Sequence, residues 1–366
     1  MCLQNCMNHL ETNFQNNTSK HFKPRNSYFA ALNTADGFQS RFDEIFSGVK
    51  RIIILKGGPG TGKSTLIRSV GAEAENREIK VEYFFCSSDS NSLDGVLIGD
   101  NNLAVIDGTS PHCVDPKIPG VRDEIINLGQ FWNSSLLRDS SGDIEKYLKD
   151  IQRGYANVYE SMKIARSAEN LAEDLVFRHT DFEKLDYAAE RIVRTFHADF
   201  TDVRYRGLSA LGTRGYAFFD SYERRATEIY SFRDKHRMSH VFLDKIKEKL
   251  SLKKVGFDYS VSPIYCSTDG IFVRDRSIAF VAKECENDKV INMGRFISKS
   301  ISAERDEIKR LRAISSHAIA FAEKKLSEIG ELHDSLEKIY INAMDFKEMN
   351  KLTRKLLISI FKNQVT

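Results

Sequence analysis

The sequence predicts an α/β protein made of one unit repeated in tandem, each copy a small, mostly parallel sheet followed by a long helical hairpin. Three observations predict it. A short apolar segment, Arg51-Ile52-Ile53-Ile54-Leu55-Lys56, runs into a glycine-rich loop and then a helical pattern. Several segments of the first half recur 164 to 177 residues later. Each half also closes on long stretches whose apolar residues stand three and four apart, the period of a helix packed on one face.

The bulk composition sets the frame. With 366 residues, 41% hydrophobic and 29% charged, the chain has the make-up of ordinary globular material, and at about 150 residues per domain it has room for two cores. A net charge of +3 from interspersed Lys, Arg, Asp and Glu implies no nucleic-acid partner. No apolar run approaches the roughly 18 to 20 residues needed to cross a bilayer, and the polar, Asn-rich start lacks a signal-peptide core, so the default expectation is a cytoplasmic location with no membrane partner. The six cysteines, Cys2, Cys6, Cys86, Cys113, Cys266 and Cys285, are too scattered for a disulfide scaffold and read as reduced thiols. Cys2, Cys6 and His9 offer three metal ligands without a fourth.

The repeats are specific. Asp94-Gly95-Val96-Leu97-Ile98 and Leu103-Ala104-Val105-Ile106 answer to Asp269-Gly270-Ile271-Phe272-Val273 and Ile278-Ala279-Phe280-Val281 at an offset of 175. Ile125 to Phe131 matches Val290 to Phe296 at 165, and Asp181-Phe182 matches Asp345-Phe346 at 164. The chain therefore divides into a polar tail (1–26), a first copy (27–204) and a second copy (205–366). Strand-type segments Arg51 to Leu55, Lys80 to Cys86 and Leu103 to Asp107 open the first copy, and Asp94 to Asp107 reads as a hairpin. That makes about four strand candidates per half, fewer than an open α/β sheet usually has, so the halves are expected to complete one another. From Ile144, Tyr147, Leu148, Ile151, Tyr155, Val158, Met162, Ala165, Ala168, Leu171 and Leu175 mark one face of a long helix, and a second runs from about Phe182 to Phe196. These helices read as packing elements beside a sheet, and their stripe makes pairing between the two copies plausible.

The loop carries the chemistry. Gly57-Gly58-Pro59-Gly60-Thr61-Gly62-Lys63-Ser64-Thr65 satisfies the Walker A pattern and sits between a strand and the helical Leu66-Ile67-Arg68-Ser69-Val70, the context that motif requires. Glycines let backbone N–H groups turn inward around phosphate oxygens, and the following helix adds its dipole. Lys63 would set its ammonium against the β- and γ-phosphates, and the Ser64 hydroxyl would bind Mg²⁺. A carboxylate at the end of a neighbouring apolar strand should complete the metal shell, and Asn102-Leu103-Ala104-Val105-Ile106-Asp107 supplies Asp107. The alternative is that Asp107 only caps the Gly108-Thr109-Ser110-Pro111 turn.

Gly108, not Glu, follows Asp107, so the water-activating carboxylate of many ATPases is missing there. Asp89, Asp94 and His112 are the candidates for a catalytic base, although Asp94 recurs as Asp269 and could belong to a hairpin turn. No Asn-Lys-x-Asp segment is present to recognise guanine, which favours ATP. In the second copy, Phe232 to Ile246 aligns with Leu55 to Ser69 at an offset of 177; every glycine is gone, His240 stands for Lys63, and Ala282 replaces Asp107. That copy is expected to have lost the phosphate chemistry while contributing an arginine to the first site, from Arg224, Arg225, Arg233 or Arg237.

Through Asn33-Thr34, Gly37-Phe38, Leu55 to Ser64, Cys86-Ser87-Ser88-Asp89, Leu93-Asp94-Gly95-Val96, Asp107-Gly108-Thr109, Pro111-His112 and Val114-Asp115-Pro116, the chain resembles a family of bacterial tandem P-loop ATPases built from two repeated halves. The resemblance covers nearly the whole chain after the tail and implies a P-loop NTPase fold duplicated in tandem, ATP binding and hydrolysis. The chain departs from that family in its second half, where a P-loop motif is usually kept. The expected function is thus a Mg²⁺-dependent ATP-binding protein, an ATP hydrolase with a single active P-loop. A kinase acting on a small molecule or nucleotide, or a non-hydrolysing regulatory module, are the alternatives.

Overall fold

The computed structural model describes residues 22, 24–199, 202–283 and 289–362. Cys2, Cys6, His9 and Cys285 lie outside them; Cys86, Cys113 and Cys266 are free thiols. The chain is α/β and forms two compact units, one of residues 1–30, 46–153 and 329–366, the other of residues 31–45 and 154–328. The repeat boundary at 204 and 205 follows the chain, whereas each unit draws segments from both repeats.

The first unit is built on a six-stranded sheet of β1 (Ser27–Phe29), β2 (Arg51–Lys56), β3 (Val81–Phe85), β4 (Leu93–Ile98), β5 (Leu103–Asp107) and β6 (Asp123–Asn127). Its spatial order is β1-β3-β4-β5-β2-β6. β1 and β3 run parallel, β3, β4 and β5 are antiparallel neighbours, and β2 lies parallel between β5 and β6. That central place explains its sequence, since Ile52, Ile53, Ile54 and Leu55 are all buried and a strand covered on both faces needs a continuous apolar run. Helix α1 (Lys63–Asn76) follows β2 and turns Leu66, Ile67, Val70 and Ala74 into the core. Gly71 lets it approach closely, because a Cβ there would stand 2.4 Å from the Tyr83 ring.

Two long helical elements come next, α2 (Ser141–Phe177) and α3 (Phe182–Val193). The second sheet then repeats the first: β7 (Val203–Tyr205), β8 (Glu228–Arg233), β9 (Phe257–Val261), β10 (Thr268–Val273), β11 (Ile278–Val281) and β12 (Lys289–Asn292). Its order is β7-β9-β10-β11-β8-β12, with the same sequence of parallel and antiparallel neighbours. Helix α4 (Ser239–Leu252) follows β8 and buries Phe242, Leu243, Ile246 and Leu250, the positions that match Leu66, Ile67, Val70 and Ala74 at an offset of 176. The second loop is thus one residue shorter than the offset of 177 read from the sequence, and Ser239, not His240, starts its helix where Lys63 starts α1. The chain ends in α5 (Arg305–Asn342) and α6 (Phe346–Phe361). Two antiparallel hairpins, Ala31–Thr34 with Gly37–Ser40 and Ser209–Gly212 with Gly215–Phe218, complete the second unit.

Each sheet has six strands where the sequence offers about four. The additions are edges: β1 is three residues long, and β6 buries only Asp123 and Ile126. The helical hairpins also sit where chain order does not suggest. The Ala172, Val176, Leu185, Ala189 and Val193 side chains of α2 and α3 pack with Phe232, Met238, Phe242 and Ile246 of the second copy. The end of α5 and all of α6 belong instead to the first unit. The exchange is reciprocal down to single bonds. Asp345 N donates to Phe131 O at 3.0 Å and Asn133 N to Ala343 O at 2.7 Å in one unit; Asp181 N donates to Phe296 O and Ser298 N to His179 O, both at 2.8 Å, in the other. Bridges between Trp132 and Met344 and between Thr180 and Ile297 repeat the match.

The buried face of α2 passes through Val158, Met162, Ala165, Ala168, Ala172 and Val176. Leu148 and Leu171, assigned to that face by spacing, are more than half exposed. Among the described residues no helix is long and apolar enough to cross a membrane.

Candidate functional site

β2 delivers the chain to the glycine loop at the carboxyl edge of its sheet. Gly60 and Gly62 adopt left-handed φ values of 68° and 84°, which a Cβ would strain. Thr61 Oγ1 closes the loop on Gly58 O at 3.0 Å. Lys63, the first residue of α1, folds back over it, donating to Gly57 O at 2.8 Å and Gly58 O at 2.7 Å. Its ammonium lies 3.6 Å from Asp107 Oδ2. The helix start has no side-chain cap, and the amide nitrogens of Gly60, Thr61, Gly62, Lys63 and Ser64 find no acceptor among the described residues. A row of unmet donors beside a cation is suited to an anion.

Asp107 ends β5, in register with Leu55 at the end of β2. Its two oxygens divide the alternatives raised by the sequence. Oδ1 accepts from the Thr109 amide at 2.9 Å and from the Thr109 hydroxyl, a turn cap, while Oδ2 faces Lys63. Burial pushes the Asp107 carboxyl above its ordinary pKa; Lys63 opposes the shift and the Asp94 charge adds to it. Ser64 Oγ accepts from Leu93 N at 2.9 Å, which fixes the hydroxyl against the start of β4.

Of the three candidate bases, the structure joins two. His112 Nε2 lies 2.9 Å from Asp94 Oδ2, and both side chains are almost fully buried. Asp89 Oδ1 accepts from the Asn91 amide at 3.1 Å. Lys56 is a residue the sequence argument missed: its ammonium bonds Gly108 O and Asp115 Oδ1, each at 2.9 Å, and ties the end of β2 to the Asp107 turn. Thr109 was legible only as part of an Asp-Gly-Thr turn.

The cover of the loop was missed altogether. A Cβ on Gly58 would lie 3.2 Å from the Trp132 ring and 3.3 Å from Tyr340, one on Gly60 2.8 Å from Ile341, and one on Gly62 2.3 Å from Met349 Cε. Trp132 and Tyr340 themselves pack with ring centroids 5.5 Å apart. The end of α5 and the start of α6 therefore rest against the loop, so its glycines also serve packing.

The matching loop of the second unit is filled differently. Arg237, in the place of Gly60, keeps a left-handed φ of 57°. Asp234 Oδ2 accepts from Ser239 N at 2.5 Å, so a carboxylate of the chain occupies the first turn of α4. His240 Nε2 lies 2.5 Å from Glu173; burial is the largest influence and disfavours the imidazolium, but the Glu173 bond together with the charges of Glu173, Asp244 and Asp234 outweighs it and the pKa is raised. Tyr230 and Ser231 pair with Phe280 and Val281, a register that carries Ala282 to the place of Asp107. Of the four arginines named from the sequence, Arg224, Arg225 and Arg237 are bonded inside their own unit, to Asp220, Asp258 and Glu169.

A family model described as nephrocystin 3, N-terminal, matches residues 36–97. The chain is similar to that family over the stretch containing β2, the glycine loop, α1, β3 and most of β4, with the Asp107 turn beyond the match. No curated protein and no solved structure matches the chain.

Proposed function

We propose that this protein binds ATP with Mg²⁺ in a single P-loop, Gly57 to Thr65, and hydrolyses it there. The observation that carries the reading is the convergence of the uncapped α1 N-terminus and the Lys63 ammonium on one loop, with Asp107 3.6 Å from that ammonium. In the complex, Lys63 exchanges its two loop carbonyls for β- and γ-phosphate oxygens, and the amides of Gly60 to Ser64 surround the phosphate chain. The Ser64 hydroxyl and Asp107 Oδ2 are the residues that would hold Mg²⁺, which would neutralise charge on the transferring phosphoryl group. Hydrolysis adds water to the γ-phosphorus and breaks its bond to the bridging oxygen, giving ADP and phosphate. The buried Asp94–His112 couple, whose carboxylate acts on Asp107, is the acid–base pair this site offers for positioning water or moving its proton.

In the same reading both sheets are copies of one P-loop fold, and the second has given its anion site to Asp234. The matching strand order and the repeated sequence segments support this, as does the resemblance to tandem P-loop ATPases. The test is calorimetric titration of the full chain with ATP and Mg²⁺, followed by phosphate release with and without small acceptors. Phosphate released without an acceptor supports the ATPase. ADP formed only with an acceptor makes the protein a kinase, and tight binding without turnover makes it a nucleotide-gated module.

A further inference from the structure

The second unit holds a cavity of about 270 Å³ whose wall includes Asp234 and His240 from the altered loop and the start of α4, Glu169 and Glu173 from α2, and Asp269 from β10. It stands where the first copy has its glycine loop, and Asp269 corresponds to Asp94 at an offset of 175. A phosphate does not suit it, because Asp234 already occupies the first turn of α4 at 2.5 Å from Ser239 N and would repel a second anion.

The charges on the wall point to the opposite kind of ligand. Every arginine there is already matched: Arg166 pairs with Asp36 at 2.6 Å, and Arg237 with Glu169 at 2.6 Å. Arg312 from α5 adds a second bond to Glu169 at 3.3 Å, and Glu173 is taken by His240 at 2.5 Å. Glu169 therefore answers two guanidinium groups, and two other carboxylates each carry an oxygen with no donor. Asp234 Oδ1 and Asp269 Oδ1 are shielded from solvent and bonded to nothing among the described residues, and Asp269 Oδ2 accepts from the Ser209 hydroxyl at 2.6 Å. A buried carboxylate oxygen without a donor is costly, and the cost is removed by a cation brought into the same low-dielectric space.

We propose that this cavity binds a small organic cation bearing primary ammonium groups, an aliphatic diamine or polyamine, with Asp234 and Asp269 as its counter-charges. Tyr216 and Tyr265 also line the cavity, and the Tyr265 ring already carries the Arg237 guanidinium, 5.6 Å from its centroid. A divalent metal fits less well, since no group of three His, Cys, Asp or Glu side chains among the described residues is arranged to hold one. The site is independent of ATP binding in the first unit.

The test uses the full chain, with putrescine and spermidine as probes and Mg²⁺ as the control, read by thermal melting and calorimetry. The amines should raise the melting temperature and bind one per chain. Asp269→Asn should weaken them at least about tenfold without lowering the melting temperature of the free protein, because it removes an uncompensated charge. Asp234→Asn, which keeps a capping oxygen for Ser239 N, should also weaken them and serves as the second variant should Asp269→Asn fold poorly. No binding by the wild type at up to about 10 mM amine, unchanged affinity in a folded variant, or Mg²⁺ displacing the amines would overturn the proposal.

Discussion

Replacing Lys63 by Ala removes a cation that the fold itself uses. A P-loop lysine free in solvent would leave the unliganded fold indifferent to its loss, but the Lys63 side chain is only 11% exposed and donates to two loop carbonyls at 2.8 and 2.7 Å. Hydrogen bonds from a charged donor contribute about 1.5 to 3 kcal/mol each. Water reaching the freed carbonyls argues for the low end, so Lys63→Ala should cost about 3 kcal/mol at pH 7. Asp107 gives the loss a pH dependence. Its pKa is raised by burial and held down by Lys63, so the variant raises it further. A carboxyl with a higher pKa in the folded state costs stability as pH rises through that folded value, and costs nothing extra below its ordinary value of 3.8. The deficit should therefore be largest near neutrality and shrink toward pH 4 without vanishing, since the carbonyl bonds are lost at every pH. Urea unfolding of both proteins from pH 4 to 8 measures it, and ATP titration should show binding weakened at least about 100-fold. Equal stability across that range would refute the geometry argued for Lys63, and unchanged ATP affinity would refute the site.

Three further outcomes follow from the same contacts. Asp107→Asn keeps the turn acceptor for Thr109 while removing the charge facing Lys63, so phosphate release should fall at least about tenfold while Mg²⁺-free ATP binding, read by calorimetry, stays close to wild type. Gly62→Ala forces a left-handed alanine, while the Met349 methyl that its Cβ would meet at 2.3 Å can swing aside; urea unfolding should show a loss of about 1 to 2 kcal/mol, and a loss under about 0.5 kcal/mol would mean that residue 62 does not hold a left-handed φ. Residues 27–204 expressed alone lack the α5 and α6 residues that cover Gly58, Gly60 and Gly62, so circular dichroism should show no cooperative unfolding transition; a sharp transition would show that the first repeat folds without them.

What the sequence makes legible is what local chemistry decides. Ile52 to Leu55 declare a strand buried on both faces, the glycine spacing of Gly57 to Gly62 declares the loop, and Asp107 announces itself by ending an apolar run. The paired hairpins β4–β5 and β10–β11 were readable because the same residues recur at a fixed offset. Edges were not: β1 has three residues, and Glu124 and Ile125 of β6 face outward, so neither carries a buried strand pattern. The exchange of helical hairpins left no local mark either, because the stripes on α2 and α5 specify a buried face without specifying which sheet covers it. Leu148 and Leu171 show the same limit, since a helix of 37 residues changes partners along its length and a stripe extrapolated at constant spacing drifts off the contact. Trp132, Ile341 and Met349 could be placed against the glycine loop only once that exchange was known.

The central claim is one nucleotide site in a chain with two sheets of the same strand order. Titrating the full protein with ATP and Mg²⁺ by calorimetry, with Lys63→Ala alongside, tests it most directly. The account predicts one ATP per chain, bound by the wild type and lost in the variant. Two equivalents per chain, or binding that survives in Lys63→Ala, would contradict it.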